Sequence, residues 1–293
     1  MNRARIHITG IVQGVGFRPF VYSLAMRHDL RGFCRNDSEG VTIEVEGERI
    51  EGFISEIKAI PPPLSRIDSL TVERLSPASY TDFRIVESVS EEGKFALVSP
   101  DIATCKDCAS ELFDPNDRRF RYPFINCTNC GPRYSIILDI PYDRPKTTMS
   151  KFSMCALCEE EYHDPRNRRF HSQPNACPAC GPAVWLVRSG TEEGVKEGGG
   201  DASIERAREL LREGAIVAIK GLGGFHIAAD ATNNDSVKRL RERKRKSNKS
   251  FAVMSPDIDA VRGFSSVSRG EEEILSWTLM PIVNLEKKPP NLI

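Results

Sequence analysis

Residues 3–20, RARIHITGIVQGVGFRPF, set the frame for the rest of the chain. From Arg3 to Val12 polar and apolar residues alternate, with Ile6 and Ile8 on one face and Val12 the candidate to continue it, as in a half-buried strand. Two glycines, Gly14 and Gly16, interrupt the alternation. From Pro19 to His28 the pattern turns helical, with proline in the first turn. Outward from this unit, Gly32–Asn36 and Val41–Val45 read as strands paired across the turn Asp37-Ser38-Glu39-Gly40. Glu48–Ala59 reads as a second helix, with Ile50, Phe53, Ile54 and Ile57 at helical spacing, and the three prolines 61–63 stop it. Ile67–Arg74 completes the order βαββαβ, and Asp82–Glu87 reads as a further strand. That order predicts an α+β ferredoxin-like sandwich over residues 1–90, with helices on one face of an antiparallel sheet.

The chain has 293 residues, room for two or three domains. Lys plus Arg and Asp plus Glu both number 41, so no net field recruits nucleic acid or membrane, and any anion site must be local. No apolar run approaches the ~18 residues of a membrane span. The N-terminus lacks the apolar core of a signal peptide, which leads to an expected cytoplasmic location.

Residues 100–185 hold eight of the nine cysteines, all in CxxC pairs. CKDCASELFDPNDRRFRYPFINCTNCGP starts at Cys105, and CALCEEEYHDPRNRRFHSQPNACPACGP starts at Cys155, a period of 50 residues with DP, RRF and CGP in register. A unit has been duplicated. Two CxxC turns supply the four thiolates of a closed, structural zinc site, and in a reducing compartment this reading prevails over redox dithiols. Duplication favours local closure of two ions. Cys105, Cys108, Cys127 and Cys130 would hold one, and Cys155, Cys158, Cys177 and Cys180 the other, with nested pairing of the motifs as the alternative. His163 and His171 are rival ligands, read as surface residues because each shell is already full. The region shows too few apolar residues for a core of its own, so zinc is expected to hold it together. Cys34 reads as a small buried side chain.

Residues Gln13, Gly14, Val15, Gly16 and Phe17 join strand to helix, and their amides can converge on an anion at the helix N-terminus. Arg18 adds a planar, permanently charged fork suited to phosphate. Asn36, ending the next strand, is placed to orient an attacking water. By itself such a loop reads first as a plain tight turn. Residues 186–201, polar and glycine-rich, read as a linker. From residue 202 an α/β pattern starts, with a helix at Ile204–Glu213, a buried strand at Ala215–Ile219 and a basic helix at Ser236–Arg243. KGLGGFH (220–226) follows that strand. The basic run Arg239, Arg241, Arg243, Lys244, Arg245, Lys246 and Lys249 reads first as a solvated helix end, with a phosphate or RNA site as the sharper alternative. His226 reads as structural.

VQGVGFR with its helix, followed by RNDSEGVTIEVEG, closely resembles the acylphosphatases over residues 3–88. The resemblance implies that Arg18 binds phosphate and Asn36 positions water, with Glu39-Gly40 a mild departure from the family's Asp-Gly. KGLGGFHIAADATN and LRERKRKSNKSFAVM resemble the opening of a YrdC-like domain. That family binds ATP and forms a carbamoyl-adenylate, and some members bind double-stranded RNA. The resemblance maps its nucleotide-binding positions onto Lys220, Lys244, Arg245 and Lys249, with Ser250 in place of the family's proline.

The order acylphosphatase, duplicated four-cysteine module and YrdC-like domain (202–293) resembles the HypF carbamoyltransferases of NiFe hydrogenase maturation. The resemblance implies that carbamoyl phosphate is hydrolysed at the first domain. The carbamate is then adenylated with ATP and passed to the C-terminal cysteine of a HypE-type protein. The end of the chain, TLMPIVNLEKKPPNLI, follows the family only loosely. The chain therefore reads as a fragment, with the YrdC-like domain cut short, the transfer domain absent, and residues beyond 202 the least stable. The competing reading is a zinc-dependent protein- or RNA-binding module without turnover, similar to the four-cysteine modules of DnaJ chaperones.

Overall fold

The computed structural model describes residues 2–89, 97–188, 196–245 and 249–289, with backbone alone for 196–198. Residues 189–195 of the expected linker and Lys246 of the basic run lie outside the described residues. The chain forms two compact units, Met1–Pro182 and Ala183–Ile293.

The first unit opens with β1 (Asn2–Ile11), α1 (Phe17–Arg27), β2 (Arg31–Asn36), β3 (Gly40–Gly47), α2 (Ile50–Ala59), β4 (Arg66–Leu75) and β5 (Phe83–Ile85). The strands form one sheet in the order β4-β1-β3-β2-β5, antiparallel except where β5 joins β2. The βαββαβ order read from the sequence is present, and the further strand read at 82–87 is β5 at the sheet edge. Register aligns Ile6 with Ile43 and Ile43 with Cys34, so alternate residues of three strands line one face. Phe17, Val21, Leu24 and Ala25 of α1, and Ile50, Phe53, Ile54 and Ile57 of α2, are buried in the same core. The Cys34 thiol is fully buried there, and desolvation pushes its pKa up to about 12, so it is an inert core group.

One row further, Asn36 pairs with Val41 and Val41 with Ile8, which places Asn36 on the helix-covered face at the end of β2. The αL conformation of Gly16 (φ 76°) ends the loop and starts α1. Sheet register and helix start thus bring residues 14–18 and residue 36 to one end of the sandwich.

The duplicated region has little regular structure: α3 (Lys106–Phe113), α4 (Ala156–His163) and short 3-10 turns at 134–136, 144–146 and 148–151. Contrary to the expectation from its composition, it does have a small core. Ile102, Tyr122, Ile125, Ile136, Tyr142 and Met149 pack around Cys108, Cys127 and Cys130. Few apolar residues suffice because the buried cysteines are themselves core members.

The second unit contains β6 (Trp185–Val187), β7 (Lys196–Gly199), α5 (Asp201–Arg212), β8 (Val217–Lys220), β9 (Phe225–Ala228), α6 (Asn234–Arg243), α7 (Ile258–Phe264), β10 (Ser265–Ser266), α8 (Arg269–Leu275) and β11 (Glu286–Lys287). β6, which starts one residue before the stretch read as a linker, pairs with β7 inside it. The strand expected to be buried is not: β8 pairs only with β9 among the described residues, and Ile219 is 47% exposed. An apolar run marks a strand but does not say what covers it. No helix among the described residues is long and apolar enough to cross a membrane.

Candidate active site and metal centres

The eight paired cysteines gather into two groups of four, Cys105/Cys108/Cys127/Cys130 and Cys155/Cys158/Cys177/Cys180, with all sulfurs of a group within 4.8 Å of one another. Closure is therefore local within each repeat. In the first group Sγ···Sγ separations are 3.7 Å (Cys105–Cys127), 3.8 Å (Cys127–Cys130) and 3.5 Å (Cys130–Cys108). In the second they are 3.8 Å (Cys155–Cys177), 3.7 Å (Cys177–Cys180) and 3.6 Å (Cys180–Cys158). A tetrahedron with zinc–sulfur bonds of ~2.3 Å has edges of roughly 3.8 Å, so both donor sets fit a four-thiolate zinc shell. Each first CxxC opens a helix, with Cys105 the N-cap of α3 and Cys155 the N-cap of α4. The partial positive charge of the helix start favours thiolate there. The Cys155 thiol is drawn down to about 6, chiefly by the Cys158 amide.

The RRF segment of each module reaches the other. Arg168 donates to Cys108 Sγ at 3.1 Å, while Arg118 donates to Cys158 Sγ at 3.3 Å. Glu161 binds Arg118 at 2.5 Å and Arg119 at 2.6 Å, and Glu111 pairs with Arg168 and Arg169. Four thiolates around Zn²⁺ carry a net −2 charge, and these guanidinium groups offset part of it in a low-dielectric interior.

The anion cradle and the finger region are joined through Arg133, which is almost wholly buried. Its Nε donates to Gly14 O, and its other nitrogens bind the carbonyls of Cys130 at 3.0 Å and Thr128 at 2.8 Å. Gly14 and Gly16 hold φ values of 73° and 76°, a conformation that lets successive amides point inward. Among the described residues, the amides of Val15 and Gly16 donate to no backbone carbonyl. Gln13 has a structural part: its side chain donates to Asp37 O at 2.7 Å and Gly40 O at 2.8 Å and accepts from Tyr142 N at 3.0 Å.

Arg18 is 8% exposed. Its Nη2 lies 2.7 Å from Asp143 Oδ1 and 3.4 Å from Tyr142 O, and its Nη1 lies 3.4 Å from Ser88 Oγ. That leaves Nε and one Nη1 proton for a ligand. Arg18 and Asn36 line a common cavity of about 30 Å³ with Gly14, Gly16 and Phe17. Asn36 is 1% exposed, and both its amide atoms lack a hydrogen-bond partner among the described residues. Such a group costs on the order of 1–3 kcal/mol unless a water or ligand satisfies it. The geometry can hold a small anion and direct a water toward it.

The far wall of the cavity comes from the finger region, including Thr128, Tyr142, His171 and Gln173. This corrects the reading of His171 as a surface residue. It is held in the left-handed region (φ 52°) against Phe170 and Tyr162, while His163 is exposed as expected. Arg133, Tyr142 and Asp143 escaped the sequence reading, as did the place of His171 at the cavity. The one signal for the last was in the repeat, where Arg121-Tyr122-Pro123 is replaced by His171-Ser172-Gln173.

In the second unit Lys220 ends β8 with its Nζ 4.9 Å from the Phe225 ring centroid. Lys244 caps α6, Arg245 follows at φ 49°, and Lys249 accepts at its carbonyl from Arg241 at 2.9 Å. All four are exposed, and among the described residues no hydrogen bond or ion pair joins one to another.

Residues 4–85 match the acylphosphatase family, residues 104–137 and 154–187 the HypF finger, and residues 209–292 the family described as telomere recombination. The chain is 48% identical over 290 residues to carbamoyltransferase HypF2 of Cupriavidus necator, covering 98% of this chain and 35% of that protein. To carbamoyltransferase HypF of Synechocystis it is 47% identical over 292 residues, covering 98% and 37%. The leading domain alone is 38% identical to the acylphosphatase of Pseudothermotoga lettingae, covering 29% of this chain and 99% of that protein. A crystal structure of full-length HypF in the phosphate- and nucleotide-bound form superposes with a TM-score of 0.91 at 51% identity, covering 98% of this chain and 37% of that one. The structure of T. kodakarensis HypF gives 0.88 at 47%, covering 99% and 37%. The chain thus spans little more than a third of the length of these HypF relatives.

Proposed function

The chain belongs to the HypF carbamoyltransferase family, and on that premise we propose that its leading domain hydrolyses carbamoyl phosphate to carbamate and inorganic phosphate. The phosphoryl group sits in the amide nest of residues 13–17, and Arg18 neutralises charge on its oxygens. The Asn36 amide holds a water for in-line attack on phosphorus. The P–O bond to the carbamoyl group breaks, carbamate departs, and no covalent enzyme intermediate forms.

The zinc ions would be held by the two four-cysteine shells. Both shells are closed, so they supply rigidity to the wall facing the cradle and take no part in turnover. In the second unit, Lys220, Lys244, Arg245 and Lys249 are the proposed contacts for ATP, with carbamate converted there to a carbamoyl-adenylate. The onward acceptor is the C-terminal cysteine of a HypE-type protein, reached with parts of the family protein beyond this chain, for maturation of a NiFe hydrogenase.

One observation carries the hydrolytic reading: a buried, unsatisfied Asn36 amide shares a cavity with a half-committed arginine fork. The test is phosphate release from carbamoyl phosphate by the 293-residue chain and by its Arg18→Ala and Asn36→Ala variants, with zinc content and circular dichroism as controls for folding. The expected loss is roughly 100-fold or more for each variant. Background rates in all three proteins would point instead to a zinc-dependent binding module.

A further inference from the structure

The two finger modules are copies, yet they differ where the second one meets the cradle. Their RRF segments are in register, and the residue after each adopts the same left-handed backbone, Arg121 at φ 57° and His171 at φ 52°. Both are pinned alike, Arg121 N to Leu112 O at 2.8 Å and His171 N to Tyr162 O at 2.9 Å. In the first module the following Tyr122 is a core residue whose hydroxyl donates to Pro182 O. In the second, His171-Ser172-Gln173 line the cavity that holds Arg18 and Asn36.

Of these three, two are committed elsewhere. Gln173 accepts from Arg144 N at 2.7 Å and donates to His171 O at 2.7 Å, while the Ser172 hydroxyl faces Asn126 Oδ1 at 3.4 Å. The His171 ring packs on Phe170 (centroids 4.6 Å) and Tyr162 (5.0 Å), and among the described residues neither of its nitrogens has a hydrogen-bond partner. Burial and the facing Arg18 push its pKa down to about 3, so the ring is neutral and one nitrogen is an acceptor. A half-buried, neutral imidazole with no protein hydrogen-bond partner among the described residues therefore lines the same small chamber as the phosphate cradle. The acylphosphatases matched over 90–99% of their length by the leading domain leave no length for such a wall.

We propose that His171 is a specificity-determining residue, its imidazole accepting a hydrogen bond from the NH₂ of the bound carbamoyl group. This rests on the hydrolytic reading above and deepens it. Carbamoyl and acetyl phosphate have nearly the same shape, differing by NH₂ against CH₃. A chamber tells them apart only through a polar contact that one makes and the other leaves unsatisfied. The cradle grips the phosphoryl end common to both, so the choice falls to the opposite wall.

The test compares kcat/KM for carbamoyl phosphate and acetyl phosphate in the full chain, His171→Gly and His171→Asn. Glycine suits the left-handed backbone, and asparagine tolerates it while keeping a polar side chain. Two zinc ions per chain in each variant report that the second module is folded. The expected result is a carbamoyl-over-acetyl ratio that falls about tenfold in His171→Gly, as for one lost hydrogen bond, and recovers in part in His171→Asn. An unchanged ratio, or both substrates falling by the same factor, overturns the assignment while leaving the hydrolytic reading intact. A wild-type chain that turns over neither substrate overturns both.

Discussion

Arg168 of the second finger module donates to the sulfur of Cys108 in the first at 3.1 Å, and Arg118, fifty residues earlier, does the same for Cys158 of the second at 3.3 Å. Each metal shell is thus electrostatically completed by the other module. A charge-assisted bond to a thiolate lowers the shell's negative charge without displacing a ligand. Loss of Arg168 should therefore weaken zinc at Cys105/Cys108/Cys127/Cys130 and spare the shell next to Arg168 in sequence. Arg168→Ala is expected to cost roughly 1.5–3 kcal/mol of zinc affinity at the first shell. Cadmium-substituted protein, with one NMR resonance per shell, shows which ion a chelator removes first. Release from the second shell would contradict the crossed arrangement.

The Arg18–Asp143 ion pair, 2.7 Å long, joins a cradle residue to the finger region. Asp143 fixes the guanidinium, but its charge also competes with the incoming anion. Asp143→Asn keeps a hydrogen-bond acceptor and removes the charge, so inorganic phosphate should bind several-fold more tightly as a competitive inhibitor, a gain of about 1 kcal/mol at most given partial solvent screening. Weaker phosphate inhibition in Asp143→Asn would show that the carboxylate acts only as an anchor.

Gly16 needs its missing side chain twice. Its φ of 76° is left-handed, and a Cβ there would lie 3.0 Å from Thr128 Cγ2 of the finger region. Gly16→Ala should cost about 1–2 kcal/mol from the backbone alone, with a further increment from the contact. Combining it with Thr128→Ser removes the methyl and should recover only that increment. Full recovery in denaturant melts of the double variant would assign the whole cost to the contact.

The sandwich was legible because one face of each strand and one stripe of each helix is apolar. Ile6 and Ile8 in β1 and Val41, Ile43 and Val45 in β3 sit at period 2, Ile50, Phe53, Ile54 and Ile57 at helical spacing, and all are buried. The ends of the sandwich's strands and helices differ from the sequence reading by at most two residues, as caps and frayed ends do. The grouping of the cysteines followed from the repeat, whereas the crossed arginines did not: RRF recurs at the right interval, but nothing local says which module it faces. β8 failed for a related reason, since Val217-Ala218-Ile219 has the composition of a buried strand and its exposure depends on neighbours far away in sequence. Asp143 and His171 are 125 and 153 positions from Arg18 and carry no motif, so only packing brings them to the cradle.

The turn that carries the cradle's support should be sensitive to acid. Asp37 Oδ1 accepts from the amides of Glu39 at 2.9 Å and Gly40 at 2.8 Å, and Oδ2 accepts from Thr42 at 2.6 Å, with His7 Nε2 3.4 Å away. Its own carbonyl receives the Gln13 side chain that also holds Tyr142. Partial burial raises the pKa of this carboxyl, but the Thr42, Glu39 and Gly40 hydrogen bonds more than reverse it, and the net shift is downward. A carboxylate depressed in the folded state contributes stability above its unfolded pKa of about 3.9 and loses it as pH falls through the lower folded value. Asp37→Asn retains an acceptor for the turn amides and lacks the charge. The stability gap between wild type and Asp37→Asn should be present above about pH 5 and close as pH drops through the carboxylate range. Urea melts followed by the amide NMR signals of residues 37–42 measure this locally, apart from the loss of zinc that acid causes in both proteins. A gap that stays the same down to pH 3 would mean that the Asp37 charge contributes nothing and that the turn is held by hydrogen-bond geometry alone.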